Sequence, residues 1–107
     1  MTRSVAVGYL SLSTETGSSR SVAIGTEALK NQNVGSSNAY NTAVGDSAGE
    51  EITTGTTNTL IGGLAGDALT TGVRNTAVGY NALSSETGAG QLTAIGQDAL
   101  KTYNKGS

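Results

Sequence analysis

The sequence predicts an all-β fold, a parallel β-solenoid of about six coils that forms a single repeat domain over residues 1–107. Three observations predict it. A five-residue motif occurs six times, at residues 4–8, 21–25, 41–45, 58–62, 75–79 and 92–96, so the coils begin near Ser4, Ser21, Asn41, Asn58, Asn75 and Leu92. The glycines closing the motif are separated by 17, 20, 17, 17 and 17 residues. The rest of each unit repeats as well. An Ala-Leu pair stands at Ala28-Leu29, Ala82-Leu83 and Ala99-Leu100, with Ser11-Leu12 in the same place in the first unit. A Thr-Gly turn follows at Thr16-Gly17, Thr54-Gly55, Thr71-Gly72 and Thr87-Gly88.

Within each motif the alternation of a strand decides which side chains share a face. The second and fourth residues form one set: Val5 and Val7, Val22 and Ile24, Thr42 and Val44, Thr59 and Ile61, Thr76 and Val78, Thr93 and Ile95. These are the β-branched positions, and they are expected to line the coil as its core. The third residue (Ala6, Ala23, Ala43, Leu60, Ala77 and Ala94) lies on the opposite face with the glycine. That face has little relief, so it is expected to meet a neighbouring subunit. Equivalent positions stack from coil to coil, which makes Asn41, Asn58 and Asn75 an amide ladder. Thr16, Asn33, Thr53, Thr70, Thr87 and Asn104 make a second polar row, each eight residues after its glycine.

The second unit is 20 residues long, and its surplus falls around Ser36, Ser37, Asn38 and Tyr40. An insertion in a solenoid leaves as a loop on one edge, often the binding edge. These four residues are the candidate receptor loop, with Tyr40 its one large side chain.

Composition excludes more than it assigns. The chain has no Cys, His, Phe or Trp, and four Tyr. Without His or Cys the usual general base and the thiol nucleophile are missing, so no enzyme is expected. Glu50-Glu51 is the only adjacent carboxylate pair, and neighbours on a strand point apart rather than across a groove. No metal or other cofactor is expected: the stretch from Gly62 to Asp67 resembles a calcium nonapeptide only once, with Ala65 where that pattern needs Gly. The net charge is −2, and the few Lys and Arg look scattered, so no nucleic-acid partner is expected. No apolar run is long enough to span a bilayer, and no membrane insertion is expected.

The Ser-Val-Ala-Ile-Gly run at residues 21–25 resembles the head repeat of trimeric autotransporter adhesins. Asn75-Thr76-Ala77-Val78-Gly79-Tyr80-Asn81-Ala82-Leu83 resembles repeats of bacteriophage tail fibres and related virion proteins. The resemblance runs from Ser4 to about Leu100. It implies a left-handed β-roll assembled as a homotrimer, whose partners are itself, other virion or surface structural proteins, and a glycan or protein receptor on a host surface. The period is longer than the adhesin period, and no stalk heptad, anchor or self-cleaving chaperone domain is present, which favours a virion component or a fragment of one.

The expected function is therefore that of a structural attachment protein, a fibre, tip or decoration element of a virion or extracellular cell surface that displays loops for adhesion. The alternative is an ice-binding β-solenoid using stacked Thr rows such as Thr53, Thr70 and Thr87. On the expected facing, the more regular Thr column of the motif itself points into the coil.

Overall fold

The computed structural model describes residues 3–17, 19–35 and 37–103. It is an all-β parallel solenoid of about five turns, with no helix among the described residues. Its strands are β1 (Val5–Val7), β2 (Val22–Ile24), β3 (Thr42–Val44), β4 (Thr59–Ile61), β5 (Thr76–Val78) and β6 (Thr93–Ile95). They form one sheet in chain order, every pairing parallel. Register is strict: Val22 faces Thr42, Thr42 faces Thr59, and so on along the stack. The strands are three residues long because the glycine ends each one at a φ between 121° and 137°. A Cβ on Gly45 would lie 2.6 Å from the carbonyl of Gly62, so the position is closed to side chains by both torsion and space.

The return wall is built from tight turns. The Ala28 amide donates to Gly25 O and the Lys30 amide to Glu27 O, with positive φ at Glu27 and Leu29, the type II pattern. Leu12, Leu83 and Leu100 repeat the Leu29 conformation, although leucine pays a steric penalty there. The compensation is directional. The left-handed torsion aims each of these amides along the stack, so Leu12 N donates to Ala28 O, Leu29 N to Ala48 O and Leu83 N to Ala99 O. Both walls are therefore hydrogen-bonded from unit to unit.

The facing of the strands is the reverse of the expected one. Ala23, Ala43, Leu60, Ala77 and Ala94 are 0–2% exposed and form the core with Leu12, Leu29, Leu83, Ile52 and Leu69. They are not available to a neighbouring subunit; Ala6 alone is exposed, in a strand that is paired on one side only. The residues expected to line the coil point outward: Val5, Val7, Ile24, Ile61, Thr93 and Ile95 are exposed, while Val22, Thr42, Val44, Thr59, Thr76 and Val78 are half-buried. The physical reason is thickness. The molecule measures 34 × 25 × 15 Å, and its short axis holds a single layer of side chains between two walls. Leucines from the turns fill that layer, which leaves room only for alanine from the strand.

The Asn ladder forms as the stacking of the units implies. Asn58 N and Nδ2 donate to Asn41 Oδ1 (2.8 and 3.2 Å), and Asn75 N and Nδ2 donate to Asn58 Oδ1 (3.0 and 3.1 Å). Each Nδ2 also reaches a carbonyl on its far side, that of Gly55, Gly72 or Ala89. All three side chains are fully buried and share the interior with the residues two positions on, Ala43, Leu60 and Ala77.

Candidate functional site: the outward face of the sheet

Because the third motif residue turns in, the second and fourth turn out, and the strict register stacks them into two columns. One column reads Val5, Val22, Thr42, Thr59, Thr76, Thr93; the other reads Val7, Ile24, Val44, Ile61, Val78, Ile95. Large apolar groups are open to solvent here, from 38% for Ile24 to 55% for Val7 and 66% for Ile95. Side chains in adjacent strands lie about 4.8 Å apart, so the second column is a continuous aliphatic strip.

Charge borders the strip unequally. On the side where the chain enters the strands stand Arg3, Arg20, Tyr40, Thr57, Arg74 and Gln91, all exposed and all at φ between 54° and 63°. Their backbones are in register, with Thr57 N on Ala39 O, Arg74 N on Thr56 O and Gln91 N on Val73 O. Every arginine of the chain is in this column. The Arg residues that looked scattered in the sequence are aligned in the fold, and the available signal was that each directly precedes a motif.

On the side where the chain leaves the strands the charge is negative. Glu27, Asp46, Glu50, Glu51, Asp67 and Asp98 lie in the turns after the glycines, accompanied by Lys30 and Lys101. The lysines are already engaged, Lys30 Nζ with Glu27 Oε2 at 3.1 Å and Lys101 Nζ with Asp98 Oδ1 at 3.9 Å. The Glu27 contact raises the Lys30 pKa. These six carboxylates and two ammonium groups are spread over the turns, from the first residue after a glycine (Asp46) to the sixth (Glu51). Asp67 feels the crowding: burial first, then Glu50 and Glu51, push its carboxyl above the ordinary value, and its Oδ1 is buried with no hydrogen-bond partner among the described residues.

Of the candidate loop, Ser37, Asn38 and Tyr40 are exposed, and Ser36 lies outside the described residues, as does Asn104 of the second polar row. The loop is anchored behind its tip: Ala39 is fully buried, Ala39 N and Tyr40 N both donate to Ser19 O, and Ala39 O accepts from Thr57 N. The other polar row is partly committed to stacking, since Thr53 Oγ1 donates to Thr70 O and Thr70 Oγ1 to Thr87 O. Among the described residues no group of three acidic side chains is placed to hold a metal ion, and no helix is long and apolar enough to cross a membrane. No protein family, curated protein or solved structure matches the chain.

Proposed function

We propose that this chain is a non-enzymatic structural attachment module of a virion or cell surface, which associates with copies of itself as a homotrimer through the outward face of its sheet and displays the loop at Ser37, Asn38 and Tyr40 to a surface glycan or protein. One observation carries the reading: a strip of aliphatic side chains, with Val7, Ile24, Ile61 and Ile95 exposed, runs the length of the stack on the outward face of the sheet. Contiguous exposed apolar surface of this kind marks an interaction site. The face differs from the one expected from the sequence, and the consequence is the same: the subunits meet along the sheet.

The test is the mass in solution. Sedimentation or light scattering at micromolar concentration should give a trimer, and Val44→Glu with Val78→Glu should give a folded monomer with an unchanged circular dichroism spectrum. A monodisperse monomer of the unaltered chain refutes self-association.

A second reading is favoured by the outward turn of Thr42, Thr59, Thr76 and Thr93. They stack in register on a regular sheet beside Val44, Ile61, Val78 and Ile95, a repeating hydroxyl-and-methyl surface suited to ordered water. It ranks second because two of the six units carry Val in place of Thr. A thermal hysteresis gap well above that of a control protein, from a monomeric chain, selects this reading.

A further inference from the structure

We propose that the arginine-bearing edge of the stack binds an elongated anionic oligosaccharide. Its carboxylates pair with Arg3, Arg20 and Arg74, and its hydroxyls meet Tyr40, Thr57 and the tip of the inserted loop. The inference rests on the attachment reading above, and names the class of its ligand and the surface that takes it.

Charge is sorted along every coil. No Asp or Glu occurs in residues 3–8, 16–25, 33–45, 53–62, 70–79 or 87–96, the stretches that return each coil to the sheet and cross it. All three arginines lie in these stretches. Glu15 and Glu86 directly precede two of them, but both are buried, and their carboxylates are taken up by amides close by. Among the described residues the salt bridges are made by Lys30 and Lys101, and neither uses an arginine. This side of the solenoid therefore carries positive charge with no exposed carboxylate beside it.

Backbone order fixes the column. Arg20, Tyr40, Thr57, Arg74 and Gln91 are all exposed, with a left-handed φ between 54° and 63°. Ser19 O accepts both Ala39 N (2.8 Å) and Tyr40 N (3.2 Å), which sets Tyr40 one level from Arg20, about 4.8 Å along the stack. Ala39 O accepts Thr57 N, and Thr56 O accepts Arg74 N, so the same order continues upward. Ser37 and Asn38, at the tip of the loop that ends on Tyr40, are exposed as well.

The spacing selects the ligand. The arginines stand at levels one, two and five, three charges in about 19 Å of stack. Double-stranded DNA brings one phosphate charge per about 1.7 Å, most of which this column would leave unmet. Anionic membranes are read by clusters of about four to eight basic residues. Arginine suits a carboxylate because its planar fork takes both oxygens, and no lysine stands in the column. Between the charges come a hydroxyl at Thr57, an amide at Gln91 beyond Arg74, and the Tyr40 ring, which joins an apolar face to a polar tip. Widely spaced carboxylates joined by hydroxyl-bearing rings are the chemistry of an acidic polysaccharide.

The probes are oligogalacturonate (a chain of uronic acid units), its methyl ester, and poly-glutamate, each titrated calorimetrically into the unaltered chain. Oligogalacturonate should bind. Esterification removes the charge and keeps the sugar, and should weaken binding about tenfold or more. Arg20→Gln with Arg74→Gln should weaken it as much, in a chain that keeps its circular dichroism spectrum. Gln91 holds the same torsion in this column, so glutamine fits there. Tyr40→Ala should weaken binding by a smaller factor, and Lys101→Gln, which removes a cation outside the column, should leave it unchanged. Equal binding of acid and ester overturns the proposal, as does an equal loss from Lys101→Gln. Tighter binding of poly-glutamate overturns it in favour of an acidic protein partner, and binding of neither polymer overturns it outright. All these outcomes leave the attachment reading to its own test, the mass of the unaltered chain in solution.

Discussion

Units three and four fill the interior differently from the units on either side of them. In units one, two, five and six the fourth residue after the glycine is leucine, namely Leu12, Leu29, Leu83 and Leu100. In units three and four it is Gly49 and Gly66. The missing volume is returned from the opposite wall, where Leu60 stands in place of the strand alanine. A Cβ on Gly66 would lie 2.8 Å from Leu60 Cδ2, and one on Gly49 2.9 Å from Leu60 Cδ1. Seven residues after the glycine the difference is chemical. Units one, two and five bury Glu15, Gln32 and Glu86 there, the middle units bury Ile52 and Leu69, and unit six carries the exposed Tyr103.

Hydrogen bonding explains the second difference. In the middle units the turn amides find carbonyls on the next turn: Thr53 N and Gly55 N donate to Thr70 O, and Thr70 N to Thr87 O. Glu86 instead gathers three local amides, those of Thr87, Gly88 and Ala89, on Oε1 at 2.9–3.0 Å. Glu15 takes Gly17 N on one oxygen, and Val34 N and Gln32 Nε2 on the other, beside the inserted loop. At Glu15 and Glu86 a buried carboxylate thus takes up local amides, whereas in unit two, where the residue is Gln32, Asn33 N reaches Thr53 O on the next turn as in the middle units. The same backbone path accepts either a dry filling or a polar one, provided the donors are met.

The largest effect should come from breaking the volume exchange. Leu60→Ala should cost about 3–5 kcal/mol, at the upper end for a buried leucine, because two glycines already border the space it would leave. Gly66→Leu alone should also destabilise, through its clash with Leu60. Combined, they convert the unit to the outer pattern, and the pair should be more stable than either single change, with a coupling of about 1–3 kcal/mol in denaturant melts. Additive losses would show that the exchange is coincidental.

Next comes the amide ladder. Asn58→Ala strands Gly72 O and removes the acceptor of two donors on Asn75, at a cost of about 3 kcal/mol or more. Asn75→Ala should cost less, since Leu92 above it contributes only a backbone amide to Asn75 Oδ1. Glu86→Leu copies the middle filling into an outer unit, and should lose about 2 kcal/mol because three amides lose their acceptor. Glu86→Gln, which keeps the oxygen, should lose less.

Asp67→Asn should have the smallest effect and the clearest pH signature. A carboxyl raised above its ordinary value of 3.8 holds its proton more tightly in the folded state. Its contribution is therefore best below the unfolded value and is lost as pH rises through the folded one. The amide keeps the protonated shape without the charge, so thermal melts should favour Asp67→Asn at neutral pH and show no difference in strong acid.

The sequence made the stack, the parallel pairing and the Asn ladder legible, because each depends only on recurrence at a fixed spacing. The facing of the strands was not legible from alternation, which separates two faces without saying which is inside. Bulk favoured Val and Ile as the core, and the thin interior made alanine the residue that fits. One clue was available: the single Leu in the alanine column, Leu60, falls among the only two units with glycine where the others have leucine. The candidate surface was half legible. Its columns were identified and assigned inward, and its basic border went unseen because three arginines far apart in sequence fall into one column only through the register. The carboxylate caps were invisible, since nothing in a Glu at position 86 announces three amides behind it.

The ladder has one further consequence. Every Asn Oδ1 in it accepts from the unit that follows, always 17 residues on. Whole units can therefore be gained or lost between Asn-headed neighbours without leaving a donor unmet, and the stack lengthens in quanta of one unit, about 4.8 Å each. A change of any other size must be expelled sideways. Unit two shows this: Asn41 N still finds Ser21 Oγ, 20 residues back rather than 17, and the three surplus residues leave through the Tyr40 loop. Length and decoration are thus separately heritable in this chain.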